Sequence, residues 1–97
     1  MSVDATYRLH VRPPLRRIGA LLMRDWLAIT IGKHIWAWRP LTDRELRHEL
    51  AHVRQWRAAG MLFPLRYLVA SITAGRAGTG WYRGNQFERE ARAAEDA

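Results

Sequence analysis

The stretch His48-Glu49-Leu50-Ala51-His52 constrains this chain more than any other, because its chemistry exists in only one backbone conformation. On an α-helix, residues i and i+4 lie on one face a single turn apart, so His48 and His52 can offer two imidazoles to one point. Glu49 sits about 100° further around such a helix and can reach a water held at that point. The neighbouring residues call for this helix. Thr42-Asp43-Arg44-Glu45 reads as a capping box, in which the Thr42 hydroxyl accepts from the Glu45 N–H and the Glu45 carboxylate accepts from the Thr42 N–H. Asp43 in the first turn suits the helix dipole. The helix is expected over Asp43 to Ala59 with Gly60 closing it. Leu46, Leu50 and Val53 form its apolar stripe. His48 and His52 fall on a neighbouring stripe, as a metal pair facing a cleft requires; two core histidines one turn apart on so arginine-rich a helix would be a less natural arrangement.

The chain has 97 residues and is read as one domain, 1–97, with a small core to which five tryptophans bring large apolar surfaces. It has no cysteine, which excludes disulfides and thiolate metal sites, so any zinc must be held by His, Asp or Glu. The formal charge is +7, almost all of it arginine. Arginine is spread along the whole chain and not gathered into a block, which argues against nucleic-acid binding as the main function. Met1 to Tyr7 is polar, contains Asp4 and leads into no apolar h-region; the absence of a secretory signal implies a cytoplasmic location. The most apolar tract, Met61 to Gly75, is short for a bilayer span and carries Arg66, so no transmembrane segment is expected.

Around the central helix, Met1 to Arg17 reads as a basic, irregular N-terminal arm, since Pro13-Pro14 excludes a helix across it. Within the arm, Tyr7 to Val11 alternates with period two and fits a short edge strand. Leu15 to Arg24 fits a helix with Ile18, Leu21 and Leu22 on one side. Trp26 to Trp38 reads as a hairpin: Leu27, Ile29 and Ile31 alternate with Ala28 and Thr30, Gly32-Lys33 suits a type II′ turn, and Pro40 ends the return strand. A second helix is expected over Met61 to Ala74, with Pro64 in its first turn, Leu65, Leu68, Val69 and Ile72 at helical spacing, and Gly75 as its stop. Gly75 to Gly84 reads as a loop, whose Gly78-Thr79-Gly80 lacks the context of a nucleotide motif. Asn85 to Ala97 fits a third helix with Asn85 as N-cap. The fold class is α+β: a short hairpin or small antiparallel sheet packed on the HExxH helix, plus two further helices.

Two histidines do not complete a catalytic zinc site, which normally has three protein ligands and a water. Downstream of His52 there is no further histidine, and the available carboxylates are Glu88, Glu90, Glu95 and Asp96. Glu88 and Glu95 are seven apart and share one helical face, while Glu90 points away. Either can be the third donor. Glu88 also occupies the capping-box position after Asn85 and could instead cap its own helix.

Together, His48-Glu49-Leu50-Ala51-His52 and Asn85-Gln86-Phe87-Glu88-Arg89-Glu90-Ala91 resemble the zincin metallopeptidases with a glutamate third ligand, the gluzincins. The similarity is to their minimal members and to the CAAX-prenyl-type membrane peptidases. It implies zinc held by His48, His52 and Glu88, with Glu49 as general base in hydrolysis of a peptide or protein substrate. The aspartate that orients a zinc histidine in the family falls on Arg92 here. The family also sets a strand beside the active helix. The hairpin Leu27 to Trp38 looks like that strand, with Trp36 or Trp38 lining the cleft. The reaction needs a group to steady an oxyanion. His34, Tyr67, Tyr82 and Arg83 are candidates, and Tyr82 is preferred because the glycine-rich loop can carry it over the metal. Two other functions compete: a zinc-stabilised interaction domain without turnover, and an arginine-rich nucleic-acid binder, which gives Glu49 and Glu88 no reason to accompany the histidines.

Overall fold

The computed structural model describes residues 7–22 and 27–96. The elements follow in the order β1 (Arg8–Val11), α1 (Leu15–Leu22), β2 (Ala28–Ile31), β3 (His34–Ala37), α2 (Asp43–Ala59), a 3-10 turn (Gly60–Leu62), α3 (Phe63–Arg76) and α4 (Gln86–Ala94). This is an α+β arrangement. Met23, Arg24 and Trp26, at the ends of the expected α1 and hairpin, lie outside the described residues, as do residues 1–6 and Ala97.

The sheet has the order β1-β3-β2. β2 and β3 form the expected antiparallel hairpin, and Gly32 in its turn has φ 63°. β1 is an edge strand as expected, but it runs parallel to β3, so the sheet is mixed and not antiparallel. The 1–17 arm is therefore not irregular throughout: it supplies β1 and the start of α1. The physical reason lies in the register, which sets Leu9 and Val11 opposite Ile35 and Ala37 and puts four apolar side chains on one face. Ile35 and Ala37 are fully buried on that face, and Thr30 and Ala28 join them from β2. Ile35, Leu50 and Val53 form the core between sheet and α2, with Tyr7, Ala28, Leu41 and Leu46 packed against it.

The alternate residues point the other way. His10 stacks on Trp36 with ring centroids 4.1 Å apart and bonds His34 at 3.0 Å. Trp36 is thus turned away from α2. Trp38 is occupied by the guanidinium groups of Arg16 and Arg39, 5.2 and 5.6 Å from its ring. Neither tryptophan lines a cleft at His48 and His52, because strand alternation commits the Ile35 side to the helix and leaves the Trp36 side opposite.

α2 has the expected bounds and both bonds of the capping box, with the Thr42 hydroxyl 3.1 Å from the Glu45 nitrogen and Glu45 Oε1 2.9 Å from the Thr42 nitrogen. Gly60 ends it with φ 62°, which costs little without a Cβ. α3 has Pro64 in its first turn but does not stop at Gly75. Gly75 is helical, and a Cβ there would stand 2.9 Å from the Trp81 indole nitrogen. Close packing with Trp81, and not helix termination, accounts for this glycine. α3 also buries a different side from the one its spacing suggests: Phe63, Ser71 and Ala74 face inward, whereas Leu65, Leu68, Val69 and Ile72 are exposed. Across the helical stretch Asp43–Arg76, an 18-residue window of mean hydropathy 1.2 is apolar enough by length and composition to cross a membrane, and 17% of it is buried.

Candidate metal centre

The site sits where α4 crosses α2. Asn85 sets the approach. It is fully buried, its Oδ1 accepts from the Phe87 N–H at 2.8 Å as an N-cap, and its Nδ2 donates to Ser71 Oγ at 2.8 Å and the Tyr67 carbonyl at 3.1 Å. Every polar atom of this side chain is used, so the start of α4 is fixed to α3. Ala91, also fully buried, is small enough to let α4 close on α2. At the far end, Arg47 donates twice to the Glu95 carbonyl, at 3.0 and 2.7 Å, placing a cation at the C-terminus of α4. Arg44 pairs with the Glu95 carboxylate at 3.2 Å and also with Asp96.

With α4 held at both ends, Glu88 faces the histidines. Its Oε1 lies 3.1 Å from His48 Nε2 and 3.1 Å from His52 Nε2. The three ligand atoms lie within 4.8 Å of one another. Tyr67 donates to Glu88 Oε2 at 2.5 Å and turns the other oxygen toward the imidazoles. Glu88 therefore does not close a capping box; Asn85 caps the helix alone.

The outer nitrogens decide what this arrangement can hold. His48 Nδ1 faces Glu95 Oε2 at 2.7 Å, and His52 Nδ1 faces Gln55 Oε1 at 2.8 Å. Gln55 Nε2 donates to the Phe87 carbonyl and to Glu90 Oε1, both at 3.0 Å, which leaves its oxygen for His52. Both Nδ1 atoms therefore donate, and in the neutral tautomers both Nε2 lone pairs point at a carboxylate oxygen. Lone pairs so placed repel unless a positive charge lies among them. Either both imidazoles are protonated or one cation occupies the centre. Ligands about 2.0–2.1 Å from a tetrahedral zinc stand roughly 3.3 Å apart, close to the 3.1 Å between Glu88 Oε1 and each imidazole nitrogen. The donor set can hold a metal ion.

The titration behaviour follows from the same contacts. Burial alone would raise the Glu88 carboxyl, but hydrogen bonds from His48, His52 and Tyr67, with the charge of His52, hold it well below the usual carboxylate range. Burial would lower both histidines, but the hydrogen bonds and charges of Glu88 and Glu49, with Glu95 at His48 and Gln55 at His52, together raise them above their ordinary value. Glu49 is shifted upward by burial, against the opposing effects of His52, Thr30 and His48. Its Oε1 accepts from Thr30 Oγ at 2.9 Å, and the Trp56 indole donates to the Thr30 carbonyl at 3.0 Å. Thr30 thus joins β2 to α2 beside the site.

Of the residues expected to act, His48, His52 and Glu88 converge and Glu49 lies beside them. Glu95 bonds the outer nitrogen of His48 and is not in the ligand cluster. Glu90 bonds Gln55, outside the cluster. Arg92 donates to the Arg83 carbonyl and leaves the orienting role at His48 to Glu95, one turn further along α4. Tyr67 is committed to Glu88. Tyr82 is exposed over 56% of its surface, yet burial of its hydroxyl and the nearby charges of Glu88 and Glu49 push its pKa up. His34 is on the far face of the sheet with His10. Thr30 and Gln55 were not foreseen. Gln55 was accessible, because position i+3 from His52 shares its face; Thr30 has no local signal, since only the packing of β2 on α2 brings it to Glu49. Comparisons with known protein families, curated proteins and solved structures find no match to this chain.

Proposed function

We propose that the chain is a zinc-dependent metallopeptidase that hydrolyses peptide bonds. The observation that carries this reading is the convergence of His48 Nε2, His52 Nε2 and Glu88 Oε1 on one point, with each histidine held from behind and Glu49 alongside. His48, His52 and Glu88 would hold zinc, which when bound supplies Lewis acidity that acidifies water and polarises a carbonyl. Glu49 accepts the proton from the attacking water and delivers it to the leaving amine. Its upward shift by burial moves it toward the working range of a general base near neutrality. Thr30 holds one Glu49 oxygen and leaves the other for this exchange. Tyr82 is the group in this reading that steadies the oxyanion, since its hydroxyl is near Glu88 and Glu49 and interacts with Glu88 less closely than the 2.5 Å bond of Tyr67. β2, the free edge of the sheet nearest α2, is suited to receive an extended peptide.

The test is cleavage of an unstructured protein by the zinc-loaded chain and by Glu49→Gln. The variant is expected to retain zinc and lose hydrolysis. If the fully loaded parent cleaves nothing across a broad peptide library, the peptidase reading fails and a zinc-stabilised interaction domain takes its place.

A further inference from the structure

Helix α3 presents its apolar side outward. Met61, Leu65, Leu68 and Ile72 follow one another at i, i+4, i+7 and i+11 and are 89, 59, 53 and 38% exposed, with Val69 beside them at 54%. The inward side is occupied by the residues that serve the metal centre: Tyr67 on Glu88 and Ser71 on Asn85. Soluble monomers rarely leave such a stripe uncovered. Beside it, a groove of about 720 Å³ runs between α3 and α4, lined by Leu65, Val69, Ala70 and Phe87 with Arg66 and Arg89. Neither guanidinium has an ion-pair partner among the described residues. Around Arg66, the sequence from Leu50 to Phe87 has no aspartate or glutamate.

We propose that this outer face of α3, with the α3–α4 groove, docks on an anionic phospholipid surface. An apolar helical stripe beside unpaired arginines matches the acyl and headgroup layers of such a surface. A second copy of the chain fits less well, because a two-fold contact would bring the same arginines together. The inward side of α3 is bonded to α4 through Tyr67–Glu88 and Ser71–Asn85, so only its outer face meets the lipid and the helix lies in the interface. The metal centre is then on the side of α3 away from the lipid. The inference is independent of whether that centre hydrolyses peptides.

The experiment is flotation of the zinc-loaded chain with vesicles of phosphatidylcholine alone and of phosphatidylcholine mixed with phosphatidylserine. Binding to the mixed vesicles should be at least about tenfold tighter and should be released by salt. R66E/R89E and L65Q/L68Q should each weaken it about tenfold or more while zinc affinity and circular dichroism stay unchanged. Equal binding to both vesicle types, no release by salt, or variants that bind like the parent would overturn the proposal. So would a solution dimer that L65Q/L68Q dissolves, which would assign the face to a second copy. The salt titration uses the unaltered chain and stays decisive if a variant misfolds.

Discussion

At the residue level the centre depends on hydrogen bonds that hold ligands in one orientation. Tyr67→Phe removes the donor to Glu88 Oε2 and should weaken zinc binding about 10- to 100-fold, as loss of such outer contacts typically does. Glu95→Ala should weaken it similarly by freeing His48 Nδ1, whereas Arg92→Ala, which acts on the Arg83 carbonyl, should change it far less. Competition with a chromophoric chelator measures all three. Acidity should act through the histidines. They bind metal only when neutral, and their metal-free pKa values are raised, so zinc affinity should start to fall as pH drops through a range above 6.5. The decline should approach about a hundredfold per pH unit where both imidazoles protonate. A decline that begins only well below 6.5 would contradict the contacts of Glu88 with the histidines.

At the level of elements, α2 is the support of the whole arrangement, and its start is the place to weaken it. Thr42→Ala deletes one half of the capping box and should cost about 1 kcal/mol in urea unfolding. The other half involves Glu45, whose carboxyl the bidentate Arg39 holds down at about 2 from an ordinary 4.5. A depressed carboxyl stabilises the fold above its unfolded pKa and loses that contribution as pH falls through the folded one. This pair should therefore act fully above about 4.5 and fade toward 2. The effect should be small, because both side chains are about a third or more exposed and water screens them. Comparing acid unfolding of the parent with Glu45→Gln isolates it. Gly75→Ala would normally strengthen a helix, but here the new methyl meets the Trp81 ring, so the substitution should destabilise the chain.

For the molecule as a whole, a small core means that zinc, if it binds as proposed, adds to the fold's stability. Zinc at a hundred times its dissociation constant should add about 2.7 kcal/mol, which for a domain of this size raises Tm by roughly 10–20 °C, reversed by chelator. A scan indifferent to zinc would exclude the centre. Much of this was legible in the sequence, because the signals are local. HExxH on a capped helix depends on residues within one turn of one another, and so does Asn85 as a cap. The i, i+7 spacing put Glu88 and Glu95 on one face and narrowed the third donor to two. Only the tertiary structure shows which of them lies beside both imidazoles, because that depends on the height at which Asn85 fixes α4 against α3. The same holds for β1. Its alternation named a strand, but a strand's partner and direction come from distant β3. Periodicity likewise located the apolar stripe of α3 correctly and could not say which way it faces. That was set by Tyr67 and Ser71, whose hydrogen bonds to Glu88 and Asn85 hold the polar side inward and leave the leucines outside. The string His48 to His52 determined the chemistry on offer; the crossing of α4 over α2 determined that a single carboxylate oxygen meets both imidazoles, because only packing brings together groups some forty residues apart.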